Sequence, residues 1–159
     1  MVNIWDVGEQ GWQGWATNVD RLNLKRRHAF YGDWWDEAAQ WRTGGFDRLC
    51  GAVPASPSTA QIAERGVRGT LFVHQVLQVR PGAALTYLRS VVDQQVPLWR
   101  EYGHEPTGIY EVLGNQHEVV VVWATSVRGQ ARLRAARDAA LGLSLIHISE
   151  PTRPLYISY

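Results

Sequence analysis

Residues 118–125 read EVVVVWAT, and this run restricts the fold more than any other stretch of the chain. Successive side chains of a β-strand point to opposite faces, so a strand with one wet face alternates apolar and polar residues. This one does not alternate. Val119, Val121 and Trp123 take one face, while Val120, Val122 and Ala124 take the other. Such a segment is stable only as a central strand with neighbours on both sides and cover on both faces. The chain must therefore build a sheet around it.

The flanking sequence supplies that sheet. TLFVHQVLQV (70–79) reads as a strand with Leu71, Val73, Leu77 and Val79 on one face and Phe72, His74, Val76 and Gln78 on the other. RPG (80–82) is a turn. A helix is predicted from about residue 83 to 102, with Leu85, Leu88, Val92, Val96, Trp99 and Tyr102 forming one apolar stripe. Pro97 lies inside the stripe and predicts a kink or break before it, and Gly103 suits the position after the helix end. TGIYEVL (107–113) is a strand, GNQH (114–117) a turn, and Ser126 the cap of a helix from about 127 to 140. The order strand–helix–strand–strand–helix needs one more strand to complete a ferredoxin-like βαββαβ unit.

A partial internal repeat extends this reading to the first part of the chain. MVNIWDV (1–7) aligns with VVVVWAT (119–125), placing Trp5 on Trp123. A helix bearing Trp12, Trp15, Val19 and Leu22 follows, then a short helix capped by Asp33, then a closing strand within GGFDRLCGAVPASPS (44–58). The expected class is α+β, with two tandem ferredoxin-like repeats. Residues 1–58 form the end of the first repeat, 59–68 a linker, and 69–142 the second repeat.

Composition narrows the function classes. A net charge of +1 gives no footprint for nucleic acid, and the basic run Lys25-Arg26-Arg27-His28 is short enough to be a solvated connection. Cys50 is the single cysteine, which excludes an internal disulfide and fits a reducing, cytoplasmic setting. No apolar run reaches the ~20 residues of a membrane span, and the N-terminus has no signal-peptide pattern. Eight tryptophans, five of them within the first 35 residues, point to aromatic core packing.

Residues 69–125 resemble the NIPSNAP family. The resemblance is carried by a strand ending in VRPG (79–82), a proline-containing helix, and PLWREYGHEPTGIYEVLGNQHEVVVVWAT (97–125) followed by Ser126. GDWW (32–35) and GGFDRLCGAVPASPS (44–58) resemble the end of the preceding repeat in two-repeat members. The resemblance implies ferredoxin-like units paired into a dimeric α/β barrel. It also implies that the first repeat lacks its start and the second its last strand. The family's biochemistry is poorly defined, so it brings no mechanism.

No phosphate-binding loop is present: GEQGWQG (8–14) lacks the required spacing, and GVRG (66–69) precedes a strand. No histidine pair has metal-ligand spacing, and no metal or cofactor is expected. His104 and His117 fall in predicted connections and read as surface residues, and Glu111 as a solvated or paired carboxylate. The candidate pocket is His74 with Tyr110, expected on the sheet face opposite the helix, where they could orient a small apolar ligand or move a proton. Two functional readings follow. One is a binding or interaction module that self-associates through the sheet face. The other is a cofactor-independent enzyme, monooxygenase- or isomerase-like, using His74 as acid and base.

LSLIHISEPTR (143–153) resembles the translation of a transposase-type sequencing-library adapter. Residues 143–159 are accordingly excluded from the fold and the site. Leu143, Leu145, Ile146 and Ile148 would nonetheless mimic a strand. A native buried strand there would contribute several kcal/mol, at ~1.5–3 kcal/mol per fully buried large side chain. Deleting 143–159 should leave the denaturation midpoint of the remainder nearly unchanged, and a large drop in urea unfolding would show the segment to be native.

Overall fold

The computed structural model describes residues 10–25 and 36–142. The strand expected at 1–7, the cap at Asp33 and the segment 143–159 lie outside the described residues. The chain divides into two compact units, Met1–Arg48 and Leu49–Tyr159. In the first, helix α1 (Gly11–Lys25) carries Trp12 and Trp15 in an edge-to-face pair with ring centroids 5.9 Å apart. A one-and-a-half-turn helix, α2 (36–41), follows, and the Arg48 guanidinium lies 4.5 Å over the Phe46 ring.

The second unit is a mixed α+β body. Its elements are β1 (Cys50–Ala52), α3 (Thr59–Glu64), β2 (Leu71–Gln78), α4 (Ala84–Ser90), a π turn (Val91–Gln95), α5 (Val96–Arg100), β3 (Glu105–Val112), β4 (Glu118–Thr125) and α6 (Val127–Ala140). The four strands form one antiparallel sheet in the order β1-β3-β4-β2. β4 is central, and all eight of its residues are buried. β2 pairs with it from Leu71↔Thr125 to Gln78↔Glu118, and β3 from Glu105↔Ala124 to Glu111↔Val119. The β3–β4 connection closes as a hairpin in which Asn115 Oδ1 accepts the His117 N–H at 3.0 Å.

Two boundaries differ from the sequence reading. Within 44–58 the described strand is Cys50–Ala52. It pairs with β3, Cys50 opposite Val112 and Ala52 opposite Tyr110. β1 takes up the outer edge of β3, and the bonds Leu113 N–H to Leu49 O (2.9 Å) and Val53 N–H to Ile109 O (3.1 Å) extend the ladder beyond the strand. The expected linker 59–68 contains α3. Its start is a reciprocal capping box: Ser58 Oγ accepts the Gln61 N–H (3.2 Å), and Gln61 Oε1 accepts the Ser58 N–H (2.9 Å).

The long helix neither breaks nor stops at Pro97. Proline lacks an N–H, and its ring collides with the carbonyl four residues earlier in an α-helix. Here the turn before it widens to π geometry, and the Val96 N–H bonds the Val91 carbonyl five residues back. The extra residue moves the apolar stripe. Leu88, Val91 and Val96 are buried, Val92 and Trp99 are half-buried, and Leu85 faces outward. These side chains meet Val73, Leu77, Ile109, Val119, Val121 and Trp123 to form the main core. Among the described residues no helix is long and apolar enough to cross a membrane.

α6 begins at Ser126, whose Oγ accepts the Gly129 N–H at 3.0 Å. Gly129 is the buried residue of this helix, and a Cβ there would stand 2.7 Å from the Tyr102 carbonyl and 2.8 Å from Thr125 Oγ1. In an open helix Gly→Ala stabilises by ~1 kcal/mol. Gly129→Ala should instead destabilise by ~1–3 kcal/mol, because the methyl is forced against the main chain. Equilibrium urea unfolding of the variant checks the sign.

Candidate functional site

The two faces of the sheet differ. One carries the main core under α4, the π turn and α5. The other carries a second cluster, Val112, Val120 and Val122, packed by Cys50, Val76 and Tyr110. All six are strand residues, so among the described residues no helix side chain joins this cluster. The alternation of β2 places Phe72, His74, Val76 and Gln78 on this second face. Phe72 is 60% exposed and His74 is exposed.

His74 therefore points away from the helix-packed face, as the alternation of 71–79 predicts. Its register partner is Val122, whose partner on β3 is Gly108. Tyr110 sits one rung further along, opposite Val120 and Ala52. Its ring folds back over Gly108, because a Cβ at Gly108 would overlap the ring atoms Cε2, Cζ and the hydroxyl oxygen. That glycine lets the ring reach the His74–Val122 rung. His74 and Gly108 remain two strand spacings apart, roughly 10 Å. The pair shares a face with Val122 between them. At the far end of the face Gln78 Nε2 donates to Glu118 Oε2 at 2.9 Å, which ties a buried carboxylate to the sheet.

The sequence reading pairs His74 and Tyr110 as a candidate pocket; in the structure His74 is exposed and Tyr110 half-buried on this second face. Two clefts lie away from these residues. A cleft of ≈ 570 Å³ runs between the 54–57 loop, α3 and the π turn, with Arg65 and Arg100 at its rim and Val96 and Ile109 on its floor. A smaller one of ≈ 230 Å³ lies along Tyr87, Val91 and Leu98. Among the described residues no group of three or more His, Cys, Asp or Glu side chains is placed to hold a metal ion.

His104 overturns its expected surface position. It is fully buried, its Nε2 stands 3.0 Å from Gln130 Oε1 on α6, and its ring meets Trp99 edge-on at 5.2 Å. The chain reverses at residues 101–103 and delivers His104 under the first turn of α6, a contact between positions 26 apart that local pattern does not report. His117, in the β3–β4 connection, is exposed as expected, and Glu111 is half-buried on β3 beside Gly51 of β1.

If Gly108 makes room for the Tyr110 ring, Gly108→Ala should expel the ring while leaving the β3–β4 ladder in place. The expected readout is loss of contacts between the Tyr110 ring and residue 108 or Val122 in NMR spectra, with the strand amide pattern retained. Retention of those contacts in the alanine variant would remove this role for Gly108. Comparison of the chain with family models, curated proteins and solved structures gives no match.

Proposed function

We propose that the second unit is a NIPSNAP-like, ferredoxin-like module that works by association, pairing its second sheet face with the same face of another copy. The observation that carries this is the Val112, Val120 and Val122 cluster, which among the described residues is packed by strand residues and has Phe72 exposed beside it. An apolar face of this kind is self-complementary under a two-fold axis, and face-to-face sheets pack ~10 Å apart. The near-zero net charge sets little repulsion against two copies meeting. The adjacency of β2 with β4 and of β4 with β3, with helices after β2 and after β4, is consistent with a βαββα portion of that fold. The lone Cys50 fits a reducing, cytoplasmic setting.

In this reading His74 and Tyr110 face the partner, and a small apolar ligand held between the paired faces would touch both. The exposure of His74 and its separation from Tyr110 favour such contact over proton transfer in a closed site. Self-association should appear in sedimentation velocity as a concentration-dependent dimer. Phe72→Glu places a charge on the exposed part of the face and should weaken the dimer by roughly thirtyfold or more, the scale of a ~2 kcal/mol hot spot, with an unchanged far-UV spectrum. A wild-type chain that stays monomeric at high micromolar concentration would refute the reading.

A further inference from the structure

We propose that the cleft between the 54–57 loop, α3 and the π turn binds a small amphipathic zwitterion, an α-amino acid with an apolar side chain. That side chain takes the floor, and the carboxylate and ammonium take Arg65 and Glu64. The inference is independent of the sheet-face pairing above. Val96 and Ile109 on the floor belong to the main core, so the cleft opens on the helix-bearing side of the sheet, opposite the face of Val120 and Val122.

The walls are built before any ligand arrives. Ile109 gives both of its main-chain polar groups to the loop: its N–H donates to Ser56 Oγ at 2.9 Å, and its carbonyl accepts the Val53 N–H at 3.1 Å. The loop also closes on itself, the Ser56 N–H donating to the Val53 carbonyl at 2.8 Å. The capping box at Ser58 and Gln61 then starts α3. The facing wall is the π turn and α5, lined by Val92, Val96 and Pro97. Binding therefore need not order these segments, which removes one of its usual costs. A volume of ≈ 570 Å³ suits a small molecule.

The floor is apolar in its main chain as well as its side chains. Val96, Pro106 and Ile109 are buried there, and Val92 and Pro57 are half-buried. Pro54, Pro57, Pro97 and Pro106 carry no N–H, and that of Ile109 is taken by Ser56. A phosphate is cradled by rows of backbone N–H groups, which a wall of prolines does not supply. The floor suits a hydrocarbon side chain.

The charges at the mouth select the rest of the ligand. Glu64, Arg65 and Arg100 line it and are exposed. Arg100 is answered within the protein, its Nε and Nη2 both donating to Glu105 Oε2 at 3.1 Å. That leaves Glu64 and Arg65, consecutive residues at the end of α3. Arg65 Nε donates to the Gln61 carbonyl at 3.2 Å, which ties the guanidinium back onto the helix. Its terminal nitrogens form the planar fork that a carboxylate accepts in two parallel bonds, and Glu64 is the acceptor an ammonium needs. A simple anion would gain Arg65 and be repelled by Glu64, and a simple cation the reverse. A zwitterion is attracted by both.

Titration of the full chain with L-phenylalanine, followed by the backbone amide signals in NMR, tests this. Saturable shifts are expected at Ala55, Ser56, Gln61 and Arg65 with a Kd of about a millimolar, the scale for so small a ligand, while β2 and α6 signals stay in place. 3-Phenylpropionate, which lacks the ammonium, and phenethylamine, which lacks the carboxylate, should each bind roughly tenfold more weakly. Arg65→Gln should lower phenylalanine to the level of phenethylamine, and Glu64→Gln should lower it to the level of phenylpropionate. Both positions are exposed, and an otherwise unchanged spectrum verifies that the variants fold. Ala55→Trp, at an exposed lining position, should block the mouth and abolish the shifts. Absence of saturable shifts at the cleft with phenylalanine would overturn the site. Phenylpropionate or phenethylamine binding as tightly as phenylalanine, or an unchanged Kd in Arg65→Gln or Glu64→Gln, would overturn the zwitterion assignment.

Discussion

The contact between Trp123 and Trp99 joins the two layers on which everything else in the second unit depends. Trp123 is fully buried on β4, its ring centroid 4.5 Å from that of Trp99 on α5. Its indole N–H would be an orphan in this position, and Gln75 of the neighbouring strand accepts it at 2.8 Å. One side chain thus contributes a large apolar area to the helix layer and a hydrogen bond to the sheet. Trp99 in turn carries His104 on its edge, so the indole pair also positions the floor on which α6 rests.

That packing dictates the shape of the helix. Val91 and Val96 both reach the core although five residues separate them, a spacing that suits a wide turn and not an α-helix. Pro97 forbids the ordinary hydrogen bond at the same place. The two constraints have one solution, a π turn ending beside the proline. Trp99 is then oriented onto Trp123, and Leu85 is left outside the core.

The asymmetry of the sheet follows from the same layer. Helices cover the Val119, Val121 and Trp123 side, and among the described residues the Val120 and Val122 side is packed by strand neighbours. The edge strand β1 widens this second face by bringing Cys50 beside Val112. Its recruitment reflects the cost of leaving the β3 ladder unpaired, since a backbone edge accepts any extended segment that chain connectivity brings to it.

How much of this was legible beforehand depends on the range of the interaction concerned. Strand patterning located β2, β3 and β4, and the Ser126 cap located α6, within a few residues, because side-chain direction and capping are local properties. The same alternation put His74 on the face away from the helix. The capping box at Ser58 and Gln61 was also written in the sequence, although the Pro- and Ser-rich stretch before it reads as a linker. Tertiary structure alone decided the rest. The β1–β3 pairing and the burial of His104 depend on segments distant in sequence meeting in space. A histidine in a connection reads as exposed until a helix from 26 residues away closes over it, and burial is a property of that closure and not of the residue.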